Sequence, residues 1–225
     1  MKLTTVPLND PKRKGYELYT DGEYAFFIDE ETYIRLSLYD KTEITAEELE
    51  EIKTATEVNR GISYGIDYVS RVKRTRKQVF EYLQKMGLSQ ESAEKILDHL
   101  CKEKYIDDED YAKRYIKTGI KTGDKSVLLL VNELKQRGIP EETAEEASEP
   151  YLSMEADRAY VAVRKRFDNK KQVLTEADEE DEPFSSFEKL TPLDKLKMKE
   201  KIYRFLAYRG YSYETITDVI EKTGL

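Results

Sequence analysis

Apolar residues recur at one spacing in three stretches of the chain: Val79, Phe80 and Leu83; Leu130, Val131 and Leu134; Ile202, Tyr203 and Leu206. Positions i, i+1 and i+4 share one face of a 3.6-residue helix, so each stretch predicts an amphipathic helix. Four residues beyond each Leu stands a glycine, Gly87, Gly138 or Gly210, the residue whose left-handed backbone closes a helix. Six residues past the glycines come Ala93, Ala144 and Ile216, and nine past come Ile96, Ala147 and Val219, a second apolar seam. Each unit reads as helix, glycine stop, helix. Start signals agree. Thr75 with Gln78 predicts a capping box, Ser126 stands at the equivalent place in the second copy, and the second helices open at Ser89, at Pro140 in the first helical position, and at Ser212. A helix pair cannot bury its stripe alone, so stacked copies are expected.

The first 45 or so residues follow another pattern. Gly15-Tyr-Glu-Leu-Tyr-Thr20 and Glu23-Tyr-Ala-Phe-Phe-Ile-Asp29 flank Asp21-Gly22, which supplies the two positive φ angles of a type I′ hairpin. A small antiparallel β-hairpin region should therefore precede the helices and pack on the first of them, because so small a sheet needs support. Tyr33 to Tyr39 reads equally as a strand or a short helix. Thr45-Ala-Glu-Glu48 then predicts a capping box, opening a long helix through Ile52, Val58, Ile62, Ile66 and Val69.

The repeat glycines are 51 and then 72 residues apart, so the third unit carries an insertion. It coincides with the acidic stretch 175–188, which holds too little apolar surface to order itself and reads as a mobile, solvated loop. The helix resumes with Thr191 as cap and Pro192 at its first position.

Composition adds bounds. The 225 residues are 39% apolar with no Trp, enough for a modest core, and 37% charged, as expected of thin helices with solvated faces. Val127 to Val131 is the longest aliphatic run, far too short to span a bilayer, and the N-terminus has no hydrophobic leader; a cytoplasmic location is expected. One cysteine, Cys101, permits no internal disulfide, and with His99 as the one histidine neither residue builds a metal site of these ligand types. No phosphate-binding glycine loop and no nucleophile-base set appears, so neither an enzyme nor a cofactor is expected. Asp107, Asp108 and Asp110 stand at a helix entrance, where carboxylates complement the dipole. Tyr105 and Tyr111 are expected to pack between helices.

Charge is uneven. Residues 1–59 carry net −7, residues 60–137 net +5 and residues 138–225 net −6, within a total of −8. The basic island holds Arg71-Val-Lys-Arg-Thr-Arg-Lys77, and a second row of cations at Lys113, Arg114, Lys117, Lys121 and Lys125. An acidic total argues against tight binding of free duplex DNA, but a basic stripe suits DNA or acidic groups that a partner already presents. A stand-alone helix-turn-helix-like DNA-binding protein needs base-reading side chains on an exposed helix, and Glu141-Glu-Thr-Ala-Glu-Glu146 is acidic instead. A helical adaptor is the other alternative.

Several segments resemble the RecX family, regulators of the RecA recombinase. Tyr105-Ile-Asp-Asp-Glu-Asp-Tyr-Ala112 followed by Glu133-Leu-Lys-Gln-Arg-Gly-Ile139 resembles its central signature, Arg71 to Leu83 its first-unit motif, and Phe205-Leu-Ala-Tyr-Arg-Gly-Tyr211 its closing one. The hairpin is similar to the extension of Gram-positive members. The chain departs from the family at Ser126-Val-Leu-Leu-Leu130, where relatives carry Gly and basic residues, and in its acidic stretch.

The resemblance implies a mostly α protein of three tandem three-helix repeats in a curved array. The expected division is a hairpin region at 1–45, then repeats at 46–104, 105–152 and 153–225. It further implies a protein that binds RecA filaments on single-stranded DNA, contacts DNA weakly or through RecA, and acts as a monomer without a cofactor. By lowering RecA activity it would modulate homologous recombination, DNA repair and the SOS response. The residues expected to face the filament are Arg71, Lys73, Arg74, Arg76 and Lys77, with Arg114, Lys117 and Lys121.

Overall fold

The computed structural model describes residues 1–9, 14–167, 187 and 190–225, which fall into two compact units, Met1–Asp107 and Asp108–Leu225. The first opens with an antiparallel sheet of β1 (Leu3–Pro7), β2 (Gly15–Thr20) and β3 (Glu23–Asp29), in that order. Asp21 and Gly22 both have positive φ, 53° and 89°, as the hairpin dipeptide predicts. β1 enlarges the expected hairpin to three strands; it is short and fully buries only Leu3, so alternation does not reveal it. Tyr33 to Tyr39 is not a strand but the end of one short helix, a turn at Leu36–Ser37 and the start of another. Asp29 Oδ1 accepts from Thr32 N–H at 2.8 Å to cap α1 (Glu30–Arg35), and a 3₁₀ turn follows at Leu38–Asp40. Leu3, Leu18, Ile28, Leu38 and Ile44 pack with Ile52 of the first long helix, which supports the sheet as expected.

Three helix triads follow, each around its own core. The first unit holds α2 (Ala46–Arg71), α3 (Arg76–Lys85) and α4 (Gln90–Lys102). The second holds α5 (Asp108–Thr122), α6 (Val127–Gln136) and α7 (Glu141–Ser148), then α8 (Glu155–Phe167), α9 (Pro192–Tyr208) and α10 (Tyr213–Lys222). Both expected capping boxes form, at Thr45/Glu48 and Thr75/Gln78, and Ser89, Ser126, Thr191 and Ser212 each cap a helix through the side-chain oxygen. Pro140 is a correction. Its extended ψ of 145° makes it the residue before α7, with Glu141 the first helical position.

The glycine stop has the same geometry three times. Gly87, Gly138 and Gly210 have φ of 82°, 86° and 81°. The following amides, of Leu88, Ile139 and Tyr211, reach back to the carbonyls of Leu83, Leu134 and Leu206 at 3.3, 3.1 and 3.2 Å, closing a Schellman motif. Those three following residues are buried, as are Val79, Leu83, Leu130, Leu134, Ile202 and Leu206 and all six positions of the second seam. Each Val, Leu or Ile among them contributes about 1.5–3 kcal/mol by leaving water, and each Ala less. At the remaining stripe position Val131 is buried and Phe80 half-buried, whereas Tyr203 is 41% exposed, set edge-on to Tyr213 with ring centroids 6.3 Å apart. The acidic stretch 175–188 lies outside the described residues except for Phe187, which is buried in the third core.

Within the second unit the two triads are tied by polar groups around Ser126. Its N–H donates to Arg209 O at 2.9 Å, and Arg158 Nη2 donates to the carbonyls of Gly123 and Lys125 at 3.3 and 3.0 Å. Both carboxylate oxygens of Glu155 accept from Val127 N–H at 3.1 Å, so a residue of α8 caps α6. Burial holds the Glu155 carboxyl above the ordinary carboxylate value, against the pull of the Val127 N–H and the Arg158 charge. A carboxyl raised in the folded state weakens folding when ionised, and that cost disappears as it is protonated below the ordinary range. Glu155→Gln is therefore expected to be more stable than the parent at neutral pH and indistinguishable from it in acid. Urea melts at several pH values read this directly; a parent more stable than the variant at neutral pH sinks the assignment.

Candidate partner-binding surface

The cationic run Arg71 to Lys77 spans a helix end, an extended link and a helix start. α2 stops at Arg71 because Val72 turns extended, with φ −149° and ψ 134°, and α3 begins after its cap Thr75. Arg71 sits well at the negative end of α2, whereas Arg76 and Lys77 crowd the positive end of α3, which has no acidic residue in its first turn. Sequences break that rule where another need overrides local helix stability.

The five side chains have different fates. Arg71 extends into solvent, 79% exposed at the side chain, and pairs with Asp67 at 3.5 Å. Lys73 and Lys77 are exposed. Arg74 is half-buried and lies 5.0 Å over the ring of Tyr68, which stacks on Tyr82 at 4.1 Å and 7°. Its Nε is buried with no hydrogen-bond partner among the described residues. Arg76 turns inward to α4, pairing with Glu94 at 2.7 Å and Asp98 at 3.0 Å and reaching Cys101 Sγ at 3.6 Å. Burial would lower its pKa, and the hydrogen bonds to Asp98, Cys101 and Glu94 more than restore it. Arg71, Lys73, Arg74 and Lys77 thus form one cationic edge in the first unit, while Arg76 holds that edge to the helix behind it.

The second group lies in the other unit. Arg114, Lys117 and Lys121 are all exposed along one face of α5 at i, i+3 and i+7. Arg114 pairs with Asp110 at 2.8 Å. Asp108, Glu109 and Asp110 occupy the first turn of α5, as entrance carboxylates should. Tyr111 packs against the second core, but Tyr105 is 42% exposed and does not fill a core as expected.

The central motif Glu133 to Ile139 is structural. Glu133 accepts from Tyr115 OH at 2.6 Å and Lys125 Nζ at 2.5 Å. Its carboxyl is lowered despite burial, because those two donors and the cations Lys125 and Arg137 favour the ionised form. Arg137 lies 4.8 Å over the Tyr115 ring and donates to Tyr111 OH at 3.2 Å. This cluster locks α5 to α6, so Glu133 and Arg137 of the motif are committed inside the repeat. The Tyr68–Tyr82 platform beneath Arg74 is the element that sequence reading missed; the one available hint was two tyrosines flanking the basic run.

Among the described residues no group of three or more His, Cys, Asp or Glu is placed to hold a metal ion, and no helix is long and apolar enough to cross a membrane. His99 is exposed and Cys101 half-buried beside Arg76.

Comparison with known proteins agrees across most of the chain. Residues 107–147 match the family model for the second three-helix domain of RecX, and residues 187–220 the model for its third. The regulatory protein RecX of Listeria innocua is 31% identical over 68% of this chain, although the match spans only 57% of that relative's length. The regulatory protein RecX of Staphylococcus epidermidis is 26% identical over 98% of this chain and 75% of its own. A crystal structure of a regulatory protein RecX superposes with a TM-score of 0.67 at 24% identity, covering 92% of this chain and 94% of the other, which establishes the shared fold.

Proposed function

Since the chain belongs to the RecX family, we propose that it regulates the RecA recombinase by binding RecA filaments on single-stranded DNA and inhibiting or remodelling them. The observation that carries this reading is the pair of matches to the family's second and third three-helix domains, in order and in the right part of the chain. The mechanism is mechanical. Helix repeats offer extended surfaces whose cations meet carboxylates of protomers or phosphates of the enclosed strand, and guanidinium groups suit both geometries. Arg71, Lys73, Arg74 and Lys77 in the first unit, and Arg114, Lys117 and Lys121 in the second, supply those contacts. Arg76 contributes by fixing the edge on which the first four stand. Binding of this kind lowers ATP hydrolysis and strand exchange, and with them recombination, DNA repair and the SOS response in the cytoplasm.

Titrating the protein into a RecA recombinase from one of the genera named above, hydrolysing ATP on single-stranded DNA, tests the reading. Inhibition at fewer than one molecule per RecA protomer is the expected result. Unchanged hydrolysis at every ratio would remove it.

A further inference from the structure

A second surface in the Asp108–Leu225 unit has the opposite character from the cationic edges. A groove of about 660 Å³ runs between α6, α7, the 3₁₀ turn Glu149–Met154 and the start of α10. Its floor is apolar. Val127 and Val131 close it from below, while Leu128 and Leu152 stand 55% and 57% exposed inside it. The Leu128 side belongs to the aliphatic run Val127 to Val131.

One wall is a row of carboxylates. Glu142, Glu145, Glu146 and Glu149 follow one another at i, i+3, i+4 and i+7, so they share a single face from α7 into the 3₁₀ turn, and all four are exposed. Among the described residues none of the four has an ion-pair partner, although the neighbouring Glu141 pairs with Lys135. Like charges at these spacings repel and weaken the helix that carries them. Among the described residues no lysine or arginine lines the groove. Glu155, at its end, is already engaged as the cap of α6.

We infer that this groove docks an amphipathic helix rich in lysine and arginine, presented by a partner protein. Exposed leucines on the floor supply pockets for apolar anchors at i, i+3 and i+4, and the glutamate wall selects cations on the flank of the same helix. Charge complementarity also excludes the nearest alternative within the chain. Residues 168–186 carry seven acidic and two basic groups, the wrong sign for a glutamate-walled groove.

The probe is a designed 18-residue helix with leucines at i, i+3, i+4 and i+7 and lysines elsewhere, its control the same pattern with glutamate replacing lysine. Binding of each fluorescent peptide to the full chain is followed by anisotropy. The lysine peptide is expected to bind and the glutamate peptide not. Leu128→Gln with Leu152→Gln is expected to weaken the lysine peptide about tenfold, as loss of central apolar anchors does. Glu145→Gln with Glu149→Gln is expected to weaken it several-fold and to flatten its salt dependence. All four positions are exposed, so the variants fold, and a circular-dichroism melt matching the parent confirms it. Equal binding of the two peptides, or unchanged affinity in both variants, overturns the inference. So does self-association of the parent chain that Leu128→Gln abolishes, which would give the groove to a second copy.

Discussion

Gly210→Ala is expected to cost the Asp108–Leu225 unit about 2–4 kcal/mol, whereas Gly87→Ala is expected to cost the first unit only about 1 kcal/mol. The two glycines end equivalent helices with almost the same φ, 81° and 82°, so the backbone penalty of a side chain in the left-handed region is shared. Their surroundings differ. A Cβ at Gly87 meets nothing within 4 Å, while one at Gly210 falls 2.7 Å from Leu129 Cβ and 2.9 Å from Ser126 Oγ. Leu129 Cβ is fixed to the backbone of α6, so no rotamer change relieves the contact and the helix itself must move. That shift pulls on the Ser126 N–H to Arg209 O bond and on the cap that Ser126 makes to Leu129 N–H. Urea unfolding of both variants measures the difference. Equal losses would mean that Gly210 serves only as a helix stop and that the two triads do not meet as closely as described.

Reversing Arg71 and Lys73 to Glu is expected to raise the amount of protein needed to inhibit RecA by tenfold or more, with the melting temperature unchanged. Two reversed charges at a cationic surface replace attraction with repulsion, and like-charge juxtaposition across an interface costs several kcal/mol. Both side chains are exposed, and the pair Arg71 makes with an exposed Asp67 contributes about 0–1 kcal/mol. Arg76→Glu separates the two kinds of cation. It places a third carboxylate between Glu94 and Asp98, so its first effect is loss of stability in the first unit. Inhibition that survives the Arg71/Lys73 reversal intact would move the contact away from the α2–α3 junction.

The helices were legible in the sequence because their signals are local. A capping box, an i, i+1, i+4 stripe and a glycine four residues on are decided within one or two turns of chain, and Thr75, Leu83 and Gly87 stand as they predict. β1 was hidden because a five-residue edge strand that fully buries one side chain has almost no periodicity. Pro140 moved by one position because its fixed φ serves the cap and the first helical turn equally well.

The candidate surface was only half legible. In the run Arg71 to Lys77 all five cations look alike, and what separates them lies outside the run: Glu94 and Asp98 claim Arg76, and Tyr68 with Tyr82 carry Arg74. Glu155 reaching Val127 across 28 residues has no sequence signal at all. The glutamate row of α7 was visible as acidity, but its value as a wall depends on Leu128 and Leu152 standing opposite it.

Binding to preformed filaments tests the central claim most directly. Labelled protein is mixed with RecA assembled on single-stranded DNA with a non-hydrolysable nucleotide, with RecA alone, and with the DNA alone, and anisotropy is read for each. Tight binding to the filament, with weak binding to either component, is the result this account predicts. Equal affinity for bare DNA, or no binding to the filament, would contradict it.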